Sequence, residues 1–464
     1  MPATLAVVDR DSALEFLFGR INYERTTQIP YRTGGLKLER MQQLLQIVGD
    51  PHIGMPVVHV AGTKGKGSTA TMVARILQTA GYRTGLYTSP HLERLEERFV
   101  INGLTCSEPE FVRLAADLQA ATYQLEARDP LNRTPTFFEI TTTMGLLHFA
   151  RSRADVVVLE VGLGGRLDST NICRPTVCAI TSISFDHVRQ LGNSLAAIAR
   201  EKAGIIKPGI PVVSSVCEAE PREVIERIAA EQNSPLIQRD VDFTSSILTD
   251  QQSAATQLLY REPGGPAAAS YQLGPLPIGM IGEHQALNAA TAIATVRQLP
   301  HQRFTIHDAA IRQALWEAKC PARVEVLQQR PTVIVDVAHN VASIAALIEA
   351  LTQRFIARRR ILVFASSRDK DTSGMLKLLL PKFDHVVLTK FVNNPRAVEP
   401  EELRVWAQQA LLGSGHSPQL ELTAEPQAAW QRARALAQAD DLVCITGSFF
   451  LAAELLPTLH QASP

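Results

Sequence analysis

Short β-branched apolar runs alternate along this chain with longer segments of helical period. The runs at 57–61, 84–87, 155–160, 177–183 and 211–214 predict strands, and the segments at 66–80, 108–127, 137–152, 194–203 and 221–232 predict helices. Strands that are apolar at nearly every position belong to a parallel sheet covered on both faces, so the fold class is α/β with a mostly parallel sheet. From about 240 to 282 the periodicity gives way to Gln, Ser, Gly and Pro with brief runs such as SSILT and TQLLY, which predicts a β-rich or loop insertion. A helix resumes at 283–298, LPHQRF breaks it, and strand-helix alternation restarts with strands at 332–337, 361–365, 385–389 and 442–446. A boundary near Pro300 follows, with an ATP-binding domain expected at 1–299 and a smaller α/β domain at 300–464.

Composition narrows what such a chain binds. Lys and Arg total 46 and Asp and Glu total 46, so there is no global positive field for nucleic acid or an anionic membrane, and any anionic ligand must be met locally. With 464 residues, of which 45% are hydrophobic and 20% charged, two or three folded domains are expected. The six cysteines contain no C-x-x-C pair and read as buried thiols, with a Cys173–Cys178 disulfide as the alternative. The N-terminus lacks a basic region ahead of an apolar run, and no segment reads as membrane-spanning; the cytoplasm and a monomer are the default expectations.

The sharpest chemistry lies in VVHVAGTKGKGSTATMVARILQTAG, residues 57–81, where a strand runs through a Gly-rich turn into a helix. Gly62, Gly65 and Gly67 let backbone N–H groups converge on an anion, Lys66 supplies a point charge, and Ser68 is placed to reach a magnesium ion. The strict G-x-x-x-x-G-K-[ST] spacing is not met, so the turn is a variant phosphate loop.

Acidic groups and histidines follow at strand ends, where α/β sheets bind ligands. Glu139 lies three residues after Thr136 and reads equally as a helix cap or a metal ligand. Glu160 ends a buried strand before a turn containing Gly162, Gly164 and Gly165, and Asp186 and His187 end another. Glu201 and Lys202 read as an ordinary solvated helix end. In the second half, Asp336, His339 and Asn340 follow one buried strand, and Gly447 and Ser448 follow another, as rims of one cleft.

Together these words resemble the folylpolyglutamate synthase and dihydrofolate synthase family, relatives of the peptidoglycan Mur amide ligases. The resemblance is carried by HVAGTKGKGS at 59–68, TSPHL at 88–92, TFFE at 136–139, LEVGLGGRLDSTN at 159–171, DHVRQLG at 186–192, EKAGIIKPG at 201–209, HQALNA at 284–289 and DVAHN at 336–340. It implies an N-terminal ATPase domain and a C-terminal α/β domain with the active site between them. It implies ATP contacts from Gly62, Thr63, Lys64, Gly65, Lys66, Gly67, Ser68, Asn288, Arg323 and Asp336, and magnesium ligands at Ser89, Glu139 and His187. It implies an N6-carboxylysine at Lys202, catalytic roles for Lys66, Lys202 and His339, and glutamate handling by His339 and Ser448. Three positions depart from the family pattern: Lys64 replaces Asn, Ala322 in CPAR replaces Gly, and Val341 replaces Pro. The pterin-binding stretch is expected around TGGLKLER at 33–40.

The implied reaction joins L-glutamate to dihydropteroate or a reduced folate through an acyl phosphate, with ATP and Mg²⁺ as cofactors. Two alternatives remain at this point: a Mur-type ligase acting on a UDP-linked peptide, and a nucleotide-gated binding protein without ligase chemistry.

Overall fold

The computed structural model describes residues 6–26, 38–128, 134–248, 256–264, 269–412 and 415–462. Most of the expected pterin stretch, residues 33–37, lies outside them. The first sheet has eight strands, in the order Leu104–Thr105, Phe99–Ile101, Thr84–Tyr87, Val156–Glu160, Val57–Ala61, Val177–Ile180, Val212–Ser214 and Leu236–Gln238. The first two form an antiparallel hairpin edge and the other six pair in parallel. Val57–Ala61 and Val156–Glu160 are buried at every position because helices cover both faces. Val58, Val60, Val156 and Val158 face the helices Lys66–Thr79 and Glu283–Arg297, while Val57, Val157 and Leu159 face Glu108–Arg128 and Phe137–Arg151. The predicted strand at 177–183 stops at Ile180; Thr181 makes a last backbone bond to the Ala61 carbonyl at 3.0 Å, and its hydroxyl turns onto the carbonyl of Lys64 at 2.6 Å.

The weakly patterned stretch is β-rich. Tyr271–Ile278, Thr256–Glu262 and Thr244–Leu248 form a three-stranded antiparallel sheet whose Leu258, Tyr260, Leu273 and Leu276 pack into the first core. Alternation along these strands is partial, which is why they are not individually readable from the sequence.

The second sheet has six strands, in the order Glu325–Gln329, Thr332–Val335, Leu442–Thr446, Arg360–Phe364, His385–Leu388 and Gln419–Leu422, with only the first antiparallel. Helices cover both faces here too: Val341–Arg354, Thr372–Leu379 and Pro400–Leu411 on one, Pro426–Leu436 and Phe449–Ala462 on the other. The two sheets match the α/β class read from the periodicity.

The division expected near Pro300 needs correction. Phe304, Ile311, Ala314, Leu315 and Ala318 bury themselves in the first core, carried by the helix Asp308–Glu317, which packs on Lys66–Thr79. We propose that the division lies after Ala318, in the segment 319–324. There Ala322 and Val324 both take positive φ, 53° and 49°, on either side of Arg323. Glycine suits position 322 for that reason, and Ala322 is held in the strained shape by its N–H on Glu325 and by the Val324 N–H on Asp336. Val341, in place of Pro, is the first residue of its helix, where Pro is favoured but not required. All six cysteines are free. Among the described residues no helix is long and apolar enough to cross a membrane.

Candidate active site

The C-terminal ends of both sheets open into one cleft of about 1010 Å³. On the first side, the turn 62–65 is fastened from behind. The Thr63 N–H bonds the Ser182 carbonyl at 2.7 Å, and the Lys64 N–H bonds the Ser182 hydroxyl at 3.1 Å. Gly62 (φ 148°) and Gly65 (φ 79°) are held where a Cβ would overlap Thr181 Oγ1 and Asn288 Oδ1 respectively. Gly65 caps the helix Lys66–Thr79 without any side-chain bond to its first turn, which leaves those N–H groups at the cleft wall, at the positive end of the helix, where an anion is favoured. Lys66 lies along the loop with its Nζ 3.4 Å from the Thr63 carbonyl. Ser68 and Asn288 line the same wall, and Gln285 holds the Asn288 amide at 3.0 Å.

The structure places two glutamates, Glu139 and Glu160, in different surroundings. Glu139 does not line the cleft; it makes a bidentate pair with Arg40 at 2.7 to 3.0 Å and closes a capping box with Thr136, both partners being buried. Its assignment as a magnesium ligand is therefore corrected: its oxygens are already committed. Glu160, by contrast, lines the cleft. It ends the strand Val156–Glu160, which neighbours the strand leading into the glycine turn, lies beside Gly67, and accepts the Ser89 N–H at 3.3 Å. Burial raises its carboxyl above the ordinary range, although Lys66, the Ser89 N–H and Arg323 pull the other way. A carboxylate at the end of an all-buried strand, immediately before a Gly-rich turn, was the available signal.

Ser89 and His187 both line the cleft. Desolvation, with Lys370 nearby, lowers the His187 imidazole to about 3, which keeps it neutral and able to act as a ligand. Among the described residues no three His, Cys, Asp or Glu side chains converge as a closed metal cage. The donors present, one carboxylate, one imidazole and two hydroxyls, suit an ion that completes its shell with water and phosphate.

Lys202 is not the solvated helix end its periodicity suggested. It is 5% exposed, its Nζ donates to the Gly62 carbonyl at 2.7 Å, and burial, aided by Lys66, lowers it to about 7. Periodicity carries no signal for this, because the helix Leu195–Ala203 buries its last turn against the glycine turn at 165, whose carbonyl neighbours are Glu201 and Lys202.

The second sheet supplies the opposite wall. Asp336 fixes the backbone of Val324 and Ala338 through its two oxygens at 2.9 and 2.8 Å. His339 Nδ1 is 2.8 Å from the Val337 carbonyl, which turns Nε2 toward the cleft, and Ser448 is buried at its edge. Arg323 lines the cleft between these groups and Glu160. Two residues not assigned from the sequence join the walls: Asp186 and Lys370, 2.7 Å apart.

The chain matches the Mur ligase middle domain over residues 60–296 and the Mur ligase glutamate ligase domain over residues 322–449. It is 35% identical over 376 residues to a dihydrofolate synthase/folylpolyglutamate synthase of Bacillus subtilis, covering 79% of this chain and 83% of that protein. The chain belongs to the folylpolyglutamate and dihydrofolate synthase family of Mur ligases. Its fold superposes on a Mycobacterium tuberculosis folylpolyglutamate synthase complexed with ADP with a TM-score of 0.86, at 29% identity, over 97% of this chain and 98% of that one. A bifunctional folylpolyglutamate synthase/dihydrofolate synthase with Mn, AMPPNP and L-glutamate bound matches with a TM-score of 0.80 at 31% identity, over 98% of this chain and 100% of that one. The middle-domain match carries the phosphate loop and Glu160, and the glutamate ligase match carries Arg323, Asp336, His339 and Ser448, so the cleft lies where the two Mur ligase domains face each other.

Proposed function

We propose that this chain is an ATP-dependent, ADP-forming amide ligase that joins L-glutamate to the carboxylate of dihydropteroate or of a reduced folate. The observation that carries the reading is one cleft in which an uncapped phosphate-binding helix faces the DVAHN turn of a glutamate ligase domain. Relatives named for these folate reactions stand behind the choice over a UDP-linked acceptor or a ligand-gated binder.

In this reading the acceptor carboxylate attacks the γ-phosphorus, ADP leaves, and an acyl phosphate forms. The glutamate amine then attacks the carbonyl carbon, inorganic phosphate leaves with the C–O bond electrons, and the amine loses a proton. The helix amides of residues 65–68 and Lys66 hold the phosphates and offset the charge that develops on them. Asn288, Arg323 and Asp336 hold the nucleoside portion from both domains, so closure assembles the site and excludes water from the acyl phosphate. Ser68, Ser89, Glu160 and His187 would hold Mg²⁺, which when bound screens the repulsion between the carboxylate and the triphosphate. Lys202, buried beside the glycine loop, would carry an N6-carboxyl group, turning a cation into an anion that adds to this donor set. His339 and Ser448 receive the amino acid. We also propose a monomer in the cytoplasm, consistent with balanced charge and no membrane-crossing helix among the described residues.

The test is ADP release with Mg-ATP and L-glutamate, run with dihydropteroate and with tetrahydrofolate. Turnover with both assigns a bifunctional enzyme, turnover with one a monofunctional synthase, and none with either acceptor sinks the reading.

A further inference from the structure

We propose that Arg396 binds a carboxylate of the incoming L-glutamate, an assignment that rests on the ligase reading above. Arg396 belongs to the loop that follows the strand His385–Leu388, at the same end of the second sheet as His339 and Ser448, and its side chain lines the cleft. The guanidinium lies over the Phe450 ring, 5.3 Å from its centroid, on the helix that begins just after Ser448. This packing desolvates the cation and fixes its plane while leaving its edge for a ligand.

The donors of that edge are not satisfied by the protein. The side chain is 13% exposed, and its Nε is sealed from solvent without a hydrogen-bond partner among the described residues. The nearest carboxylate, Asp369, stands 3.7 Å from Nη1, beyond hydrogen-bond length, and one of its own oxygens is also sealed and unpartnered. Glu24 is the other acid whose field reaches Arg396, but its two oxygens are held by Arg98 at 2.9 and 2.7 Å. A buried guanidinium with unmet donors is costly unless a ligand completes it, and a carboxylate does so with two parallel bonds.

The surrounding charge fits the same ligand. Asp369 stands 3.7 Å from Arg396 and 3.9 Å from Lys370, and Lys370 is itself paired with Asp186 at 2.7 Å, so Arg396 is the cation of this rim left without a hydrogen-bonded carboxylate. L-Glutamate brings two carboxylates, one of which Arg396 can take. An uncharged nucleophile would gain nothing from Arg396.

That contrast supplies the experiment. Arg396→Gln and Arg396→Lys are assayed with L-glutamate and, separately, with hydroxylamine, which traps an acyl phosphate as a hydroxamate but carries no carboxylate. The expected result is a KM for L-glutamate raised about ten-fold to a hundred-fold in the Gln variant and less in the Lys variant. The KM for Mg-ATP and the rate of hydroxamate formation should stay near those of the unaltered chain. Hydroxamate formation that falls in step with glutamate ligation would overturn the proposal, because Arg396 would then serve the cleft as a whole. A raised KM for a glutamylated acceptor with an unmoved KM for glutamate would also overturn it, by placing Arg396 on the acceptor tail. If the unaltered chain makes neither product, it is the ligase reading that fails, and the variants are not what shows it.

Discussion

Asp186, in the loop after the strand Val177–Ile180 of the first sheet, and Lys370, in the loop after the strand Arg360–Phe364 of the second, meet in a 2.7 Å ion pair with each side chain about 10% exposed. Asn340 adds a bond to the other Asp186 oxygen at 3.4 Å, and His339 stands 3.9 Å from it. Three residues of the glutamate ligase domain thus converge on one carboxylate of the middle domain. Burial opposes the charge on Asp186, yet His187, Lys370 and His339 together hold it well below the usual carboxylate range.

A buried pair of this kind favours the closed arrangement most when it is intact and penalises it most when one member is lost, by about 3 to 5 kcal/mol. Lys370→Met should therefore open the molecule: residues 319–324, the strained link, should become sensitive to limited proteolysis. Asp186→Asn combined with Lys370→Met should be less sensitive than Lys370→Met alone. Equal digestion of all three proteins would show that the pair does not hold the domains together.

Glu160 and Glu139 make opposite predictions. Glu160→Gln removes a carboxylate that burial already disfavours, so the melting temperature of the ligand-free protein should hold or rise. The stabilisation given by Mg-ADP should largely disappear; at a hundred-fold excess over Kd that is about 2.7 kcal/mol. Glu139→Gln breaks the bidentate pair with Arg40 and should cost about 3 kcal/mol or more of folding stability, with the Mg-ADP increment retained. Thermal unfolding with and without Mg-ADP distinguishes them, and a Mg-ADP increment lost in Glu139→Gln but kept in Glu160→Gln would restore the original assignment.

If Lys202 acts as a carbamate, what the site needs is an anion at that position, not a lysine. Lys202→Ala should lose glutamate-dependent ADP release by about a hundred-fold or more, and a short carboxylic acid such as acetate or propionate should restore part of it. Rescue by a short alkylamine in place of the acid would identify an unmodified ammonium as the working group.

The α/β class, the parallel strands and the phosphate loop were legible because each rests on a local pattern: a buried run, a Gly turn, a helix. Glu160 and Glu139 show where local pattern stops. One lies in the first turn of a helix and the other ends a strand, both are buried, and only the partner tells their roles apart, Arg40 from ninety-nine residues away for Glu139 and the glycine turn for Glu160. Lys202 was invisible for the same reason, its environment being made by Gly62 and the turn at 165. The proposed division lies later than the sequence suggests because LPHQRF breaks a helix without ending the core, which Phe304 and Ile311 re-enter.

The acid limb of stability offers a last prediction, away from the cleft. His59 lies in the middle of the central strand and is fully buried, with Nε2 2.9 Å from Thr170 Oγ1 and Nδ1 3.7 Å from Cys173 Sγ. Burial, reinforced by Lys207, lowers the imidazole to about 3 from an ordinary 6.5. The folded chain therefore refuses a proton that the unfolded chain accepts below pH 6.5, and stability falls as pH drops, through the whole interval down to about 3. Between pH 7 and pH 5 this residue should account for about 2 kcal/mol of lost stability. His91 and His284, lowered to about 3 and about 4, add losses of the same sign, so a single profile does not isolate His59. The difference between the unaltered chain and His59→Gln does. Gln removes the proton acceptor at a near-equal volume, so the variant should be the less stable protein at pH 7 and should lose about 2 kcal/mol less on going to pH 5. Urea unfolding at the two pH values measures both quantities, and a gap between the proteins that is the same at pH 7 and pH 5 would mean that His59 carries its proton in the folded strand.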